Sequence, residues 1–74
     1  MTQAVIHFAK TSVMRLQVYG YEPDFAALGT LVLDGLQEAS PEFSEMWSKA
    51  YRALNNEDIG AEEKLYVIMN ILAS

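Results

Sequence analysis

Three clusters of turn and capping residues constrain this chain more than any other feature. Gly20–Tyr21–Glu22–Pro23, Ser40–Pro41 and Asn55–Asn56–Glu57–Asp58–Ile59–Gly60 interrupt the sequence at intervals of similar length. The segments between them run 13 to 20 residues, long for strands and ordinary for helices. A chain of 74 residues holds one small domain at most. With 51% apolar residues it has enough to collapse, and with no cysteine it has no disulfide framework, zinc finger or thiol nucleophile.

The first segment, Thr2 to Tyr19, admits two readings. On a helical wheel Val5, Ile6, Phe8, Ala9, Val13, Leu16 and Tyr19 share a side, with Met14 and Val18 breaking the pattern. As strands, Ile6/Phe8 and Met14/Leu16/Val18 alternate with polar neighbours around a turn at Lys10–Thr11–Ser12. That turn lacks Gly, Asn or Asp, so helix is the preferred reading. The alternative is an N-terminal β-hairpin followed by three helices.

The remaining segments read as helices. From Asp24 to Ala39, Phe25, Leu28, Gly29, Val32, Leu33 and Leu36 form an apolar face, with Pro23 suited to the first helical position. Gly29 lies on that face and is the expected point of close helix crossing. Ser40 and Pro41 start a third helix in which Phe43, Met46, Trp47, Ala50, Tyr51 and Leu54 recur every three or four residues. Glu45 and Lys49 are an i,i+4 pair in the favourable order. In the fourth segment, from Gly60 to Ala73, seven of the eight residues Leu65–Leu72 are apolar, so this helix needs cover on more than one side. The expected architecture is all-α, a single domain over 1–74 built as a compact bundle of four short helices.

Catalytic and metal constellations fail on spacing. His7 is the only histidine, and its nearest acid in sequence is Glu22. Glu42/Glu45 and Glu62/Glu63 lack the Glu-x-x-His spacing of di-metal carboxylate sites and sit where a helix N-terminus favours acids. A calcium loop starting at Asn55 would place Ile59 at its fifth position and Tyr66 at its twelfth, where oxygen ligands are required. Ser12, Ser40, Ser44 and Ser48 share one histidine, and no glycine-rich phosphate loop is present. The expectation is a chain without catalysis, cofactor or metal.

The charge is unevenly placed. Residues 1–21 hold Lys10 and Arg15 and no acid, a net +2; residues 22–74 hold all ten acids against Lys49, Arg52 and Lys64, a net −7. Asp34, Glu38, Glu45, Glu57, Asp58 and Glu63 are expected to form an acidic face for a basic partner, such as a protein that ordinarily holds nucleic acid. Segments two and three also fit a helix-turn-helix, the alternative function, but Glu42, Glu45, Lys49 and Arg52 cancel on its second helix.

The apolar positions exceed what a four-helix monomer needs. A chain this short buries only about 60% of its unfolded surface, and Met14, Val18 and Leu31 are therefore candidates for self-association as a homodimer. Tyr21, Asp34, Glu38, Glu45, Val67 and Ile71 are candidates for binding another protein. Phe43, Trp47 and Tyr51 are assigned to the core and Tyr19 and Tyr21 to exposed anchors. No window reaches the roughly 18 apolar residues of a membrane span, and no basic start precedes an apolar stretch as in a secretory signal; a cytoplasmic protein is expected. The combined expectation is a small acidic protein-binding module, a dimeric inhibitor or adaptor, with a structural subunit of a larger assembly as a further alternative.

Overall fold

Apolar residues at three- and four-residue spacing roll the whole chain into helices. The computed structural model describes residues 1–74 as α1 (Thr2–Tyr19), α2 (Phe25–Glu38), α3 (Pro41–Leu54) and α4 (Ala61–Ala73), with no strand. The hairpin reading of the first segment is therefore excluded. Val5, Ala9 and Val13 form an i, i+4, i+8 row that is buried, while Met14 and Val18, which a hairpin would bury with Leu16, are exposed. At the position proposed for the turn, the Ser12 hydroxyl donates to the Phe8 carbonyl at 2.8 Å within an unbroken helix.

Local chemistry sets the helix ends. Gly20 takes a left-handed conformation at φ 70°, ψ 21° and ends α1, its N–H donating to the Leu16 carbonyl at 3.0 Å. Asp24 caps α2 by accepting the Ala27 N–H at 3.0 Å. Pro23 therefore precedes the cap instead of opening the helix; its fixed φ shapes the turn. Pro41 opens α3 as expected, but the Ser40 side chain makes no capping bond, and its carbonyl receives the Phe43 and Ser44 N–H groups. At the other end of α3 the Asn55 side chain donates to the Tyr51 carbonyl, and the Asn56 side chain accepts the Asp58 N–H in the following turn.

The helices form a ring in which each packs on its chain neighbours and α4 closes back on α1; the backbones of diagonal helices do not meet. Neighbours run antiparallel. Gly35 faces Trp47 and Gly29 faces Leu54 across α2–α3, and Gln17 reaches Glu62 and Tyr66 across α1–α4. The α1–α4 and α3–α4 seams are the most extensive, so α4 receives the two-sided cover its composition demands. Leu28, Leu65, Ile68, Val5 and Val32 fill the centre, and no polar side chain is buried there. On the diagonal, the Lys64 ammonium lies 5.2 Å from the centre of the Phe25 ring.

Gly29 does stand at a close approach of α2 to α3, but Gly35 stands at a closer one, and one expectation about α3 is corrected. A Cβ on Gly29 would lie 3.3 Å from one Leu54 methyl, whereas a Cβ on Gly35 would lie 2.4 to 2.6 Å from three atoms of the Trp47 ring. Gly35 is thus the glycine on which the crossing depends. The i,i+4 pair of Glu45 with Lys49 does not form; Glu45 instead meets Arg52 at 3.7 Å, both side chains largely exposed. Such a pair is worth about 0–1 kcal/mol. No helix is long and apolar enough to cross a membrane.

Candidate functional site

The close approach of Trp47 to Gly35 determines what happens one turn earlier on α3. Because α2 and α3 are antiparallel, Phe43 stands opposite Ala39, where α2 has already ended and the chain is turning. A methyl group cannot cover a phenyl ring, and Phe43 is left 51% exposed. Phe43 therefore does not belong to the core, as its helical spacing implied, whereas Trp47 is buried and Tyr51 half-buried.

Phe43 stands in the wall of a groove of about 510 Å³ at the end of the bundle where residue 1, the α2–α3 turn and the end of α4 converge. Met1, Ala39, Met46, Trp47 and Leu72 complete its apolar lining, and Thr2, Glu38, Ser40 and Ser74 supply polar groups beside them. A second hollow of about 320 Å³ shares Phe43, Met46 and Ser74 with it and adds Ile71 and Lys49. The two hollows adjoin at these shared residues, and the second lies across the α3–α4 seam. Their apolar lining can exclude water from an apolar side chain, and their polar groups can orient one.

Five of the predicted protein-binding residues fall on the helices that build this end. Ile71 is half-buried in the wall of the second hollow and Glu38 is one of the polar residues lining the first. Asp34 is exposed one turn before Glu38 on α2, Glu45 is exposed beside Met46 on α3, and Val67 is half-buried one turn before Ile71. Tyr21 lies at the opposite end of the bundle, stacked on Tyr19 with ring centres 5.2 Å apart and planes 25° apart. There it flanks a smaller hollow of about 190 Å³ with Phe8, Ser12, Arg15 and Asp24.

The acids expected to form one face divide between two corners. Asp34, Glu38 and Glu45 lie around the α2–α3 turn, while Glu57, Asp58 and Glu63 lie around the α3–α4 turn at the far end. All six are exposed. Of the residues proposed for self-association, Met14 and Val18 are 56% and 65% exposed on the outer side of α1. Leu31 is half-buried and packs on the core, so it does not join them. His7 is exposed on α1, a helix that carries no acid.

Phe43, Met46 and Lys49 are the residues that sequence reasoning missed. The two-residue turn before Pro41 was the clue, since it puts Phe43 in the first turn of α3, beyond the reach of α2. No group of three metal-ligating side chains gathers anywhere on the molecule. No family model, curated protein or solved structure matches the chain.

Proposed function

We propose that the chain is a small docking module that receives an apolar, base-flanked segment of a partner protein in the groove across the α3–α4 seam, and that it acts by occupancy, as an inhibitor or adaptor does, rather than by catalysis. The observation that carries this reading is Phe43, half-exposed in the wall of a groove of mixed apolar and polar lining that includes Glu38. An exposed aromatic beside a concavity is the usual anchor of a protein interface. Exposed Asp34, Glu42 and Glu45 add negative charge at the same end, where Lys49 is the one base in the lining. Charge of one sign around an apolar centre favours partners of the opposite sign and speeds their encounter.

Trp47 is the only tryptophan and forms part of the groove, so its fluorescence reports occupancy directly. The probes are two amphipathic peptides with the same apolar residues, one flanked by lysines and one by glutamates. The lysine-flanked peptide is expected to shift Trp47 emission saturably and the glutamate-flanked peptide not to. Phe43→Ser should abolish the shift, and added salt should weaken it. A response that is absent for both peptides, or that survives Phe43→Ser, overturns the proposal.

A further inference from the structure

We infer that the outer face of the α1–α4 seam is a two-fold interface between two copies of this chain, with the α1 helices crossing antiparallel at Met14. Three large apolar side chains are exposed on this face: Met14, Val18 and, on α4, Tyr66, at 56%, 65% and 43%. The Gln17 amide ties the two helices together, donating to the Glu62 carboxylate at 2.9 Å and to the Tyr66 hydroxyl at 3.3 Å. Apolar groups gathered on one side of a small molecule mark an interaction surface.

The charges on this face identify a second copy as the occupant. A two-fold interface uses the same patch twice, so the patch must complement itself. Lys10 and Gln17 are seven residues apart and lie on the same side of α1. Lys10 makes no ion pair within its own chain, and Gln17 holds the Glu62 carboxylate beside the helix. At 1.5 Å per residue, Lys10 stands about 6 Å before Met14 and Gln17 about 4.5 Å after it. A two-fold axis crossing α1 beside Met14 therefore exchanges the two levels and keeps their side. Lys10 of each copy meets the partner's Glu62, twice per dimer, around a centre of Met14, Val18 and Tyr66. Parallel helices would instead bring Lys10 level with the partner's Lys10.

The available area fits. A stable interface takes about 800 Å² from each partner, about a sixth of this chain's 4754 Å². One side of the bundle, bounded by extents of 38 and 24 Å, is large enough to supply it. The interface leaves Phe43 outside its centre, so it stands or falls independently of the groove.

The test is light scattering with sedimentation equilibrium on the full chain across a dilution series, with charge reversals at exposed positions. Wild type is expected to be a dimer, and Lys10→Glu and Glu62→Lys should each weaken dimerisation about tenfold or more at low salt. The doubly reversed Lys10→Glu/Glu62→Lys chain should recover to within about threefold of wild type, because the swapped pairs attract again. Met14→Glu should give a monomer with unchanged helical circular dichroism. A wild type that stays monomeric up to about 1 mM, a constant that Met14→Glu leaves unmoved, or a double reversal no better than the singles overturns the inference.

Discussion

Replacing Gly35 by alanine adds a single methyl group, and two opposed effects follow. Alanine is a better helix former than glycine by about 1 kcal/mol in a helix interior. The new Cβ, however, would lie 2.4 to 2.6 Å from three atoms of the Trp47 ring, about 1 Å inside ordinary contact. The ring is rigid, 4% exposed and packed in the core, so relief requires α2 and α3 to separate or the indole to swing toward the groove. Overpacking of this kind costs about 1–3 kcal/mol and occasionally more. With the collision at the high end of that range, the net loss is about 1–2 kcal/mol, which lowers Tm by roughly 5–15 °C for a domain of this size.

Gly29→Ala provides the matched control on the same helix. Its Cβ would meet only a Leu54 methyl at 3.3 Å, at the end of a side chain that can yield by a few tenths of an ångström. That variant should match wild type within about 0.5 kcal/mol or exceed it. Urea melts followed by circular dichroism and Trp47 fluorescence measure both. In a Trp47→Leu background the Gly35→Ala penalty should shrink by more than half, as expected for residues coupled by contact. A Gly35→Ala chain as stable as Gly29→Ala would refute the assignment of the crossing to Gly35.

Substitutions at three further positions test the helix ends and the core. Asp24→Ala removes the bond to the Ala27 N–H and should cost about 1 kcal/mol, read as a Tm fall of roughly 4–8 °C. Gly20→Ala places a Cβ in open space but at a φ of 70°, so its cost of about 1–2 kcal/mol is backbone strain alone, and Gly20→Asn should recover part of it in the same thermal melt. Ile68→Ala opens a cavity where nothing is exposed and should cost about 2–5 kcal/mol, enough to leave much of a domain this small unfolded by circular dichroism at 37 °C.

The parts of the fold set by local chemistry were legible in the sequence, and the parts set by contact between helices were not. Helix starts and stops follow from residues within one turn, which is why Gly20, Pro41 and Asn55 mark their boundaries. Periodicity also separated the buried row Val5, Ala9 and Val13 from Met14 and Val18, which fall off it and are exposed. It failed at Phe43. Helical spacing says which residues share a side and nothing about whether a neighbouring helix still runs opposite them. Gly29 and Gly35 show the same limit, since both interrupt one helix and only the crossing geometry tells which of them meets an aromatic ring.

The charge pattern draws the two lessons together. Counting along the chain separated a +2 first segment from a −7 remainder, but linear position assigned all the acid to one surface. Antiparallel folding distributes it otherwise. It sends Asp34, Glu38, Glu42 and Glu45 to the groove end and Glu57, Asp58, Glu62 and Glu63 to the far end, where Gln17 carries Glu62 to the side of the acid-free helix. One acid placed beside α1 changes that helix from a purely basic surface, which would repel its own copy, into a self-complementary one. Glu62 therefore has a disproportionate weight. Glu62→Gln keeps the Gln17 contact possible and deletes one charge, so it should weaken dimerisation less than Glu62→Lys but in the same direction. A Glu62→Gln chain that dimerises as tightly as wild type would assign the loss in Glu62→Lys to the broken Gln17 contact and rule out charge pairing.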